Sequence, residues 1–153
     1  MQASESMIPM RGYIEIELKN AFTGAVIERV AQPNVMTMTG RRWAVVQVFE
    51  ASGALGWLAL GTDGTTPSAS DVALGSEYIR KAIGTLDKSG TTDASAPYVQ
   101  VLVDYGTDEA NTALQEMALF DAAASGNIFS HATYDTKSKT TSNTLGVTYT
   151  IYN

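Results

Sequence analysis

Three stretches of this chain alternate apolar and polar side chains with a period of two, and few folds accept that pattern. Near the N-terminus, Ile14, Ile16 and Leu18 oppose Tyr13, Glu15 and Glu17. Within 98–105, Val99, Val101 and Val103 alternate with their neighbours. In 144–152, Leu145, Val147, Tyr149 and Ile151 face one way, while Thr144, Thr148, Thr150 and Tyr152 face the other. A period of two is the mark of a strand buried on one face only. Such a strand must cover its apolar face with a second layer, and this leads to an antiparallel sandwich or a barrel.

The rest of the chain fits the same plan. Asn20 to Gly24 carries turn chemistry, because Asn and Gly accept the positive φ of tight turns. It predicts a hairpin between 13–18 and 25–30, ended by Pro33-Asn34. Further short strands are expected at 55–60, 77–86, 114–120 and 128–134, beside those at 98–105 and 144–152. The segment 87–96, mostly Ser, Thr, Gly and Asp, reads as a flexible connection. Thr39 is placed to cap a helix over 40–50, with Trp43, Val46 and Phe49 at three-residue spacing. One helical turn is expected over 70–74. The fold class that follows is mainly β: an antiparallel β-sandwich or squat barrel of about eight strands with one short helix. Residues 1–11, interrupted by Pro9, read as an N-terminal arm, and 12–153 as a single domain.

Composition narrows the function classes. A chain of 153 residues buries about 68–70% of its unfolded surface and can build a core without staples. It has no cysteine, so neither a disulfide framework nor a thiolate metal site is available. No apolar run approaches the ~20 residues of a membrane-spanning helix. The first residues lack the basic and apolar regions of a secretory signal. The formal charge is −6, whereas nucleic-acid binding wants a basic stripe. Only Arg41-Arg42 and Lys137 with Lys139 offer basic clusters, so neither nucleic acid nor membrane is expected as a partner.

Candidate chemistry is sparse. His131 is the only histidine, has no sequence neighbour to share a metal, and reads as a strand side chain bonded to a neighbour or to water. The loop Gly61-Thr-Asp-Gly-Thr-Thr lacks the ligand spacing of a calcium loop and the lysine of a phosphate cradle. Glu15 and Glu17 share a strand face, where they are read as solvated edge charges. Glu116 is the notable ionisable group, flanked by Leu114, Met117, Leu119 and Phe120. A carboxylate buried in such company needs a paired charge or several donors. Arg80, or the adjacent Lys81, is the expected partner, so that Arg80 and Glu116 would form a structural ion pair between neighbouring strands. No catalytic residue, metal ligand or cofactor is assigned.

Two longer stretches carry a resemblance. The first is WLALGTDGTTPSASDVALGSEYIRKAI over 57–83, and the second is LQEMALFDAAASGNIFSHATYDTKSK over 114–139. Each runs from an apolar strand through small residues into a second strand. Their steps fall on Gly61, Gly64, Pro67, Asp71, Leu74, Glu77, Arg80, Glu116, Leu119, Phe120, Asp121, Gly126 and Lys139. In this order they resemble phage tail-collar fibre domains. The opening GYIEIELKNAFTGAVIERVAQPNVMTMTGRR is similar to the start of small phage structural proteins with the same module. No single motif is specific; the resemblance rests on their order across 12–153.

That resemblance implies a non-enzymatic virion protein, made in the host cytoplasm and assembled into the virion. Collar-fibre domains usually continue into a shaft, whereas this chain stops at Asn153 after a strand. A stand-alone component is therefore expected: an adaptor at the tail, collar or baseplate, or a capsid decoration (cement) protein. The partners implied are other phage virion proteins and further copies of the chain, as a trimer. Candidate contacts are Met7, Ile8, Met10 and Arg11 in the arm and Asp63, Thr65 and Thr66 in the first loop, with 87–96 as a second loop. The alternative is a carbohydrate- or receptor-binding module of the tail, with Trp57, Tyr98 and Tyr134 as candidate rings. A hydrolase would need a convergent acid pair or a nucleophile with its base, and the sequence displays neither.

Overall fold

The computed structural model describes residues 11–40, 56–84, 88–91 and 98–152. Among the described residues nine antiparallel strands follow one another: β1 (Arg11–Asn20), β2 (Val26–Met36), β3 (Trp57–Gly61), β4 (Glu77–Ala82), β5 (Lys88–Thr91), β6 (Tyr98–Tyr105), β7 (Ala113–Phe120), β8 (Ile128–Ser138) and β9 (Asn143–Tyr152). They form one sheet in the order β4-β3-β7-β8-β2-β1-β9-β6-β5. The sheet rolls into a nearly closed, barrel-like layer pair. One half is β5-β6-β9-β1-β2, and the other is β8-β7-β3-β4. The halves are stitched where the end of β2 reaches β8, pairing Val35 with His131 and Met36 with Ser130. The expected class, mainly β and antiparallel, is the observed one.

The period-two stretches build the core. Across β1, β9 and β6 the register stacks three rows: Leu18–Leu145–Tyr105, Ile16–Val147–Val103 and Ile14–Tyr149–Val101. All nine side chains are buried. They face Leu58, Leu60, Met117, Leu119 and Tyr134 from the other half in one cluster. Burying an aliphatic or aromatic side chain of this size contributes about 1.5–3 kcal/mol, so these rows fix the register: a slip of one residue would expose a whole face. Burial also pushes the hydroxyl pKa of Tyr105 upward, and that hydroxyl donates to the Leu58 carbonyl at 3.2 Å.

β3 and β7 show no alternation because both their faces are covered. Their inner face joins the main core. Their outer face carries Trp57, Ala59, Ala118 and Phe120, with Ile128 of β8 beside them and Leu74 of the 62–76 loop on top. This second layer is what positions the candidate site.

Several expectations need correction. β2 runs on through Pro33-Asn34 to Met36. Proline is tolerated there because β2 has no ladder partner on its far side before Val35. The helix opens at 38–40, and its cap is Thr37, not Thr39. Thr37 Oγ1 accepts from the Gly40 amide at 2.8 Å while donating to the Ile128 carbonyl at 2.7 Å. The expected helical residues 41–50 lie outside the described residues. Lys88–Thr91, expected in a connection, is strand β5, paired with β6. The 70–74 stretch has no helical turn; a bend closes instead, with Asp71 Oδ2 accepting the Ser68 amide at 2.8 Å. Glu15 and Glu17 are not edge charges, because β1 lies between β2 and β9. Glu15 pairs across the ladder with Arg29 of β2 at 2.7 Å, a favourable cross-strand pair, and Glu17 pairs with Lys19 of its own strand at 2.9 Å.

Candidate functional site

The polar centre of the molecule lies on the outer face of the β7–β8 ladder. Glu116 of β7 and His131 of β8 are diagonal neighbours there: Glu116 is opposite Thr133, and His131 opposite Ala118. The 62–76 loop folds over this face and buries Glu116 completely. A carboxylate out of water needs donors, and the loop supplies three backbone amides. Oε1 accepts from Ser76 at 2.7 Å and from Asp63 at 3.2 Å, and Oε2 accepts from Gly75 at 2.9 Å. His131 Nε2 lies 3.1 Å from Oε2. On the other side of the ring, Nδ1 lies 2.7 Å from Asp71 Oδ2.

The small residues of the stretch are there for space. A Cβ on Gly61 would run into Glu116 Oε1 and the Ser76 carbonyl, and one on Gly75 into the Asp63 carboxylate. Asp63 in turn holds Thr65 through its amide, at 2.8 Å, and through its hydroxyl, at 2.7 Å. The Thr65 hydroxyl, followed by the Thr65 amide, keeps the Asp63 carboxyl below its ordinary value. The arrangement is a loop clasp. Each ring nitrogen of His131 has a carboxylate partner, each carboxylate oxygen of Glu116 has its donors, and His131 is only 5% exposed.

Glu116 is therefore buried and multiply bonded, but its partner is not Arg80. The expected Arg80–Glu116 ion pair between neighbouring strands is corrected by the strand order: β3 lies between β4 and β7, and Arg80 is opposite Ala59 while Glu116 is opposite Gly61 at the next rung. Arg80 belongs to a second clasp. Its Nη2 and Nε bond Glu77 at 2.6 and 2.9 Å. Its Nη1 donates to the carbonyls of Ala122, at 2.8 Å, and Ser125, at 2.9 Å. Its guanidinium sits 3.6 Å above the Phe120 ring. Arg80 thus fastens the β7–β8 turn, where Ser125 and Gly126 take φ of 56° and 76° and Asp121 binds Asn127 through both carboxylate oxygens. Lys81 pairs with Glu109 at 2.7 Å, not with Glu116.

The other sequence candidates are dispersed. Met7, Ile8 and Met10 lie outside the described residues. Arg11 begins β1 opposite Tyr152 and is exposed. Asp63 is half-buried inside the clasp loop, while Thr65 and Thr66 are exposed on it. The Lys137–Lys139 cluster does not form an exposed basic patch: Lys137 is buried beside Glu28 at 3.0 Å, and Lys139 is buried with its ammonium 2.9 Å from Asn111 Oδ1. Among the rings, Trp57 packs on the second cluster. Tyr134 is buried, its hydroxyl donating to the Glu116 carbonyl at 3.2 Å. Tyr98 is exposed beside Tyr152, with ring centroids 6.3 Å apart. Among the described residues, no group of three or more His, Asp or Glu is arranged to hold a metal ion.

Sequence reasoning missed the partners of His131. Asp71 is sixty residues away, and the only signal for it was its place in the Asp-x-x-Leu step of the first stretch. Compared with known proteins, the chain matches no family model, no curated protein and no solved structure.

Proposed function

We propose that this chain is a non-enzymatic structural protein of a bacteriophage virion. In this reading it docks on other virion proteins as a tail, collar or baseplate adaptor or as a capsid decoration protein, and it assembles as a trimer. One observation carries the reading. The weak sequence steps that resemble tail-collar fibre domains are scattered over 61–139, yet most converge in two adjoining clasps. Gly61, Asp71 and Glu116 meet at the first; Glu77, Arg80, Phe120, Asp121 and Gly126 meet at the second. Steps that act together in space support the order of motifs as that of one module. The chemistry of the first clasp points the same way, since its histidine and carboxylates are spent on holding a loop.

The alternative of glycan binding on exposed rings is weakened by two of its three rings, because Trp57 and Tyr134 are engaged in packing.

The test is direct. Purified particles of the phage that encodes this chain are probed by quantitative mass spectrometry and by immunogold labelling. Stoichiometric presence at one site on the particle is expected, with the copy number distinguishing shell from tail. Absence from the particle would overturn the reading. Light scattering on the purified protein checks the trimer, and a monomer at micromolar concentration would exclude it.

A further inference from the structure

A second polar site lies at the seam where the two halves of the sheet part. β2 and β8 share ladder pairing only at Val35 and Met36. Below that point the strands are bridged by side chains: Gln32 Nε2 donates to the Thr133 carbonyl at 2.6 Å, and Glu28 reaches Lys137. On its other side β8 carries a bulge against β7. Glu116 pairs with Thr133 and Leu114 with Lys137, so Gln115 alone is opposite three residues, Tyr134, Asp135 and Thr136. Those three have no ladder partner on either neighbouring strand. Bulges of this kind re-aim side chains and often border functional sites.

The seam and the bulge together open a cleft of about 370 Å³, within the roughly 300–1,000 Å³ of small-ligand sites. Its lining is polar. Asp135 and Thr136 are exposed, and their side chains, like that of Thr133, make no hydrogen bond within the described residues. Gln32 and Gln115 each spend one amide N–H on a backbone carbonyl, which leaves each amide oxygen and a second N–H available. Gly64 completes the wall, and its missing side chain gives Gln115 Oε1 its place. The cleft thus presents one carboxylate, two amides and two hydroxyls. Among the described residues no cation lines the cleft, and the ammonium of nearby Lys137 is held by Glu28.

We propose that this cleft is a binding site for a neutral saccharide. A polyol matches mixed donors and acceptors at close spacing, with Asp135 accepting from two adjacent hydroxyls. An anionic ligand would meet an uncompensated carboxylate on a chain of formal charge −6, and an apolar ligand would leave the polar lining unpaired. The site is distinct from the rings considered for glycans above, and it does not depend on the virion reading. Particles can contain the protein whether or not it binds sugar, and sugar can bind whether or not the protein is in a particle.

The experiment is a ¹H–¹⁵N NMR titration of the full chain. The probes are glucose, galactose, mannose, N-acetylglucosamine and their short oligomers, with N-acetylneuraminic acid as the anionic control. At about 20 mM, well above a millimolar Kd, at least one neutral sugar is expected to shift the amides of Gln32, Gly64, Gln115 and 133–136, and the anionic sugar none of them. Asp135→Asn, at an exposed and unpaired position, should keep the spectrum of the fold and weaken that binding about tenfold or more. Thr136→Val should weaken it less. A flat titration with every neutral sugar would overturn the proposal. So would shifts centred on Tyr98 and Tyr152, or binding unaltered in Asp135→Asn.

Discussion

His131 Nε2 stands 3.1 Å from Glu116 Oε2, and through that contact a strand pair holds a loop whose own residues are forty to sixty positions away. Glu116 has no exposed surface and gathers three loop amides as well as the ring. Removing its carboxylate strands those donors out of water. Glu116→Ala should cost about 3–5 kcal/mol, the range for breaking a buried charged contact. Urea denaturation measures it, and a loss below about 1 kcal/mol would show that the loop does not depend on this residue.

His131 contributes less than Glu116, because three amides remain on the carboxylate when the ring is gone. His131→Ala should cost about 1–3 kcal/mol. It frees Asp71, which still holds the Ser68 amide. Hydrogen exchange separates the two variants. The Ser76 and Gly75 amides should lose protection strongly in Glu116→Ala and only partly in His131→Ala. Equal losses would mean that the imidazole, rather than the carboxylate, anchors the loop.

Gly61 tests the space in the same clasp. Its backbone conformation is not the issue; the room beside it is. An added methyl meets both a buried carboxylate and the Ser76 carbonyl, so backbone as well as side chain must move. Gly61→Ala should therefore destabilise by about 1–3 kcal/mol, as overpacking does. Thermal or urea unfolding reads it out. A neutral result would mean that the loop gives way freely, contrary to the clasp.

How much of this was legible in the sequence depends on which face a residue uses. The β1, β6 and β9 alternation announced the core, because each strand buries one face and the period shows it. β3 and β7 are covered on both faces, so Leu58-Ala59-Leu60 and Met117-Ala118-Leu119 carry no period and reveal only that they are strands. The burial of Glu116 was readable from its apolar neighbours, but its partner was not. Arg80 and His131 stand on the same rung, one from Glu116; what separates them is strand order, because β8 adjoins β7 whereas β3 lies between β7 and β4, and no local pattern encodes that. β5 was hidden because Lys88–Thr91 has turn-like composition and is a strand only through pairing with β6. The seam cleft was invisible for a related reason: it arises from a bulge, where Gln115 is opposite three residues.

Acid should loosen the 106–112 loop. Glu109 accepts two hydrogen bonds from the Lys81 ammonium, at 2.9 and 2.7 Å, and one from the Gly106 amide at 2.8 Å. The Lys81 hydrogen bond, then the Gly106 amide, holds its carboxyl below the ordinary value of 4.5. A carboxyl lowered on folding contributes stability that is present above its unfolded value and is lost as the pH falls through the folded one. Both side chains are about a third exposed, at 36% and 37%, so screening limits the contribution to no more than about 1 kcal/mol. Lys81→Met should be less stable than the parent near neutral pH, and the gap should close below pH 4.5. A gap that stays constant across that range would assign the effect of Lys81 to its packing over Tyr105.

Arg80 separates charge from shape. It makes a two-pronged contact with Glu77, bonds two carbonyls of the β7–β8 turn and covers the Phe120 ring. A lysine keeps the charge but cannot fill the planar fork or stack as a guanidinium does. The side chain is only 7% exposed, so the carbonyls of Ala122 and Ser125 would not be fully compensated by water. Arg80→Lys should therefore cost about 1–3 kcal/mol and should broaden the amide signals of 121–127 in NMR spectra. The Gly75 and Ser76 amides, held by Glu116, should keep their protection, because the two clasps share a sheet face but no hydrogen bond. If those amides also lose protection, the clasps are one cooperative unit, and the 62–76 loop and the β7–β8 turn open together.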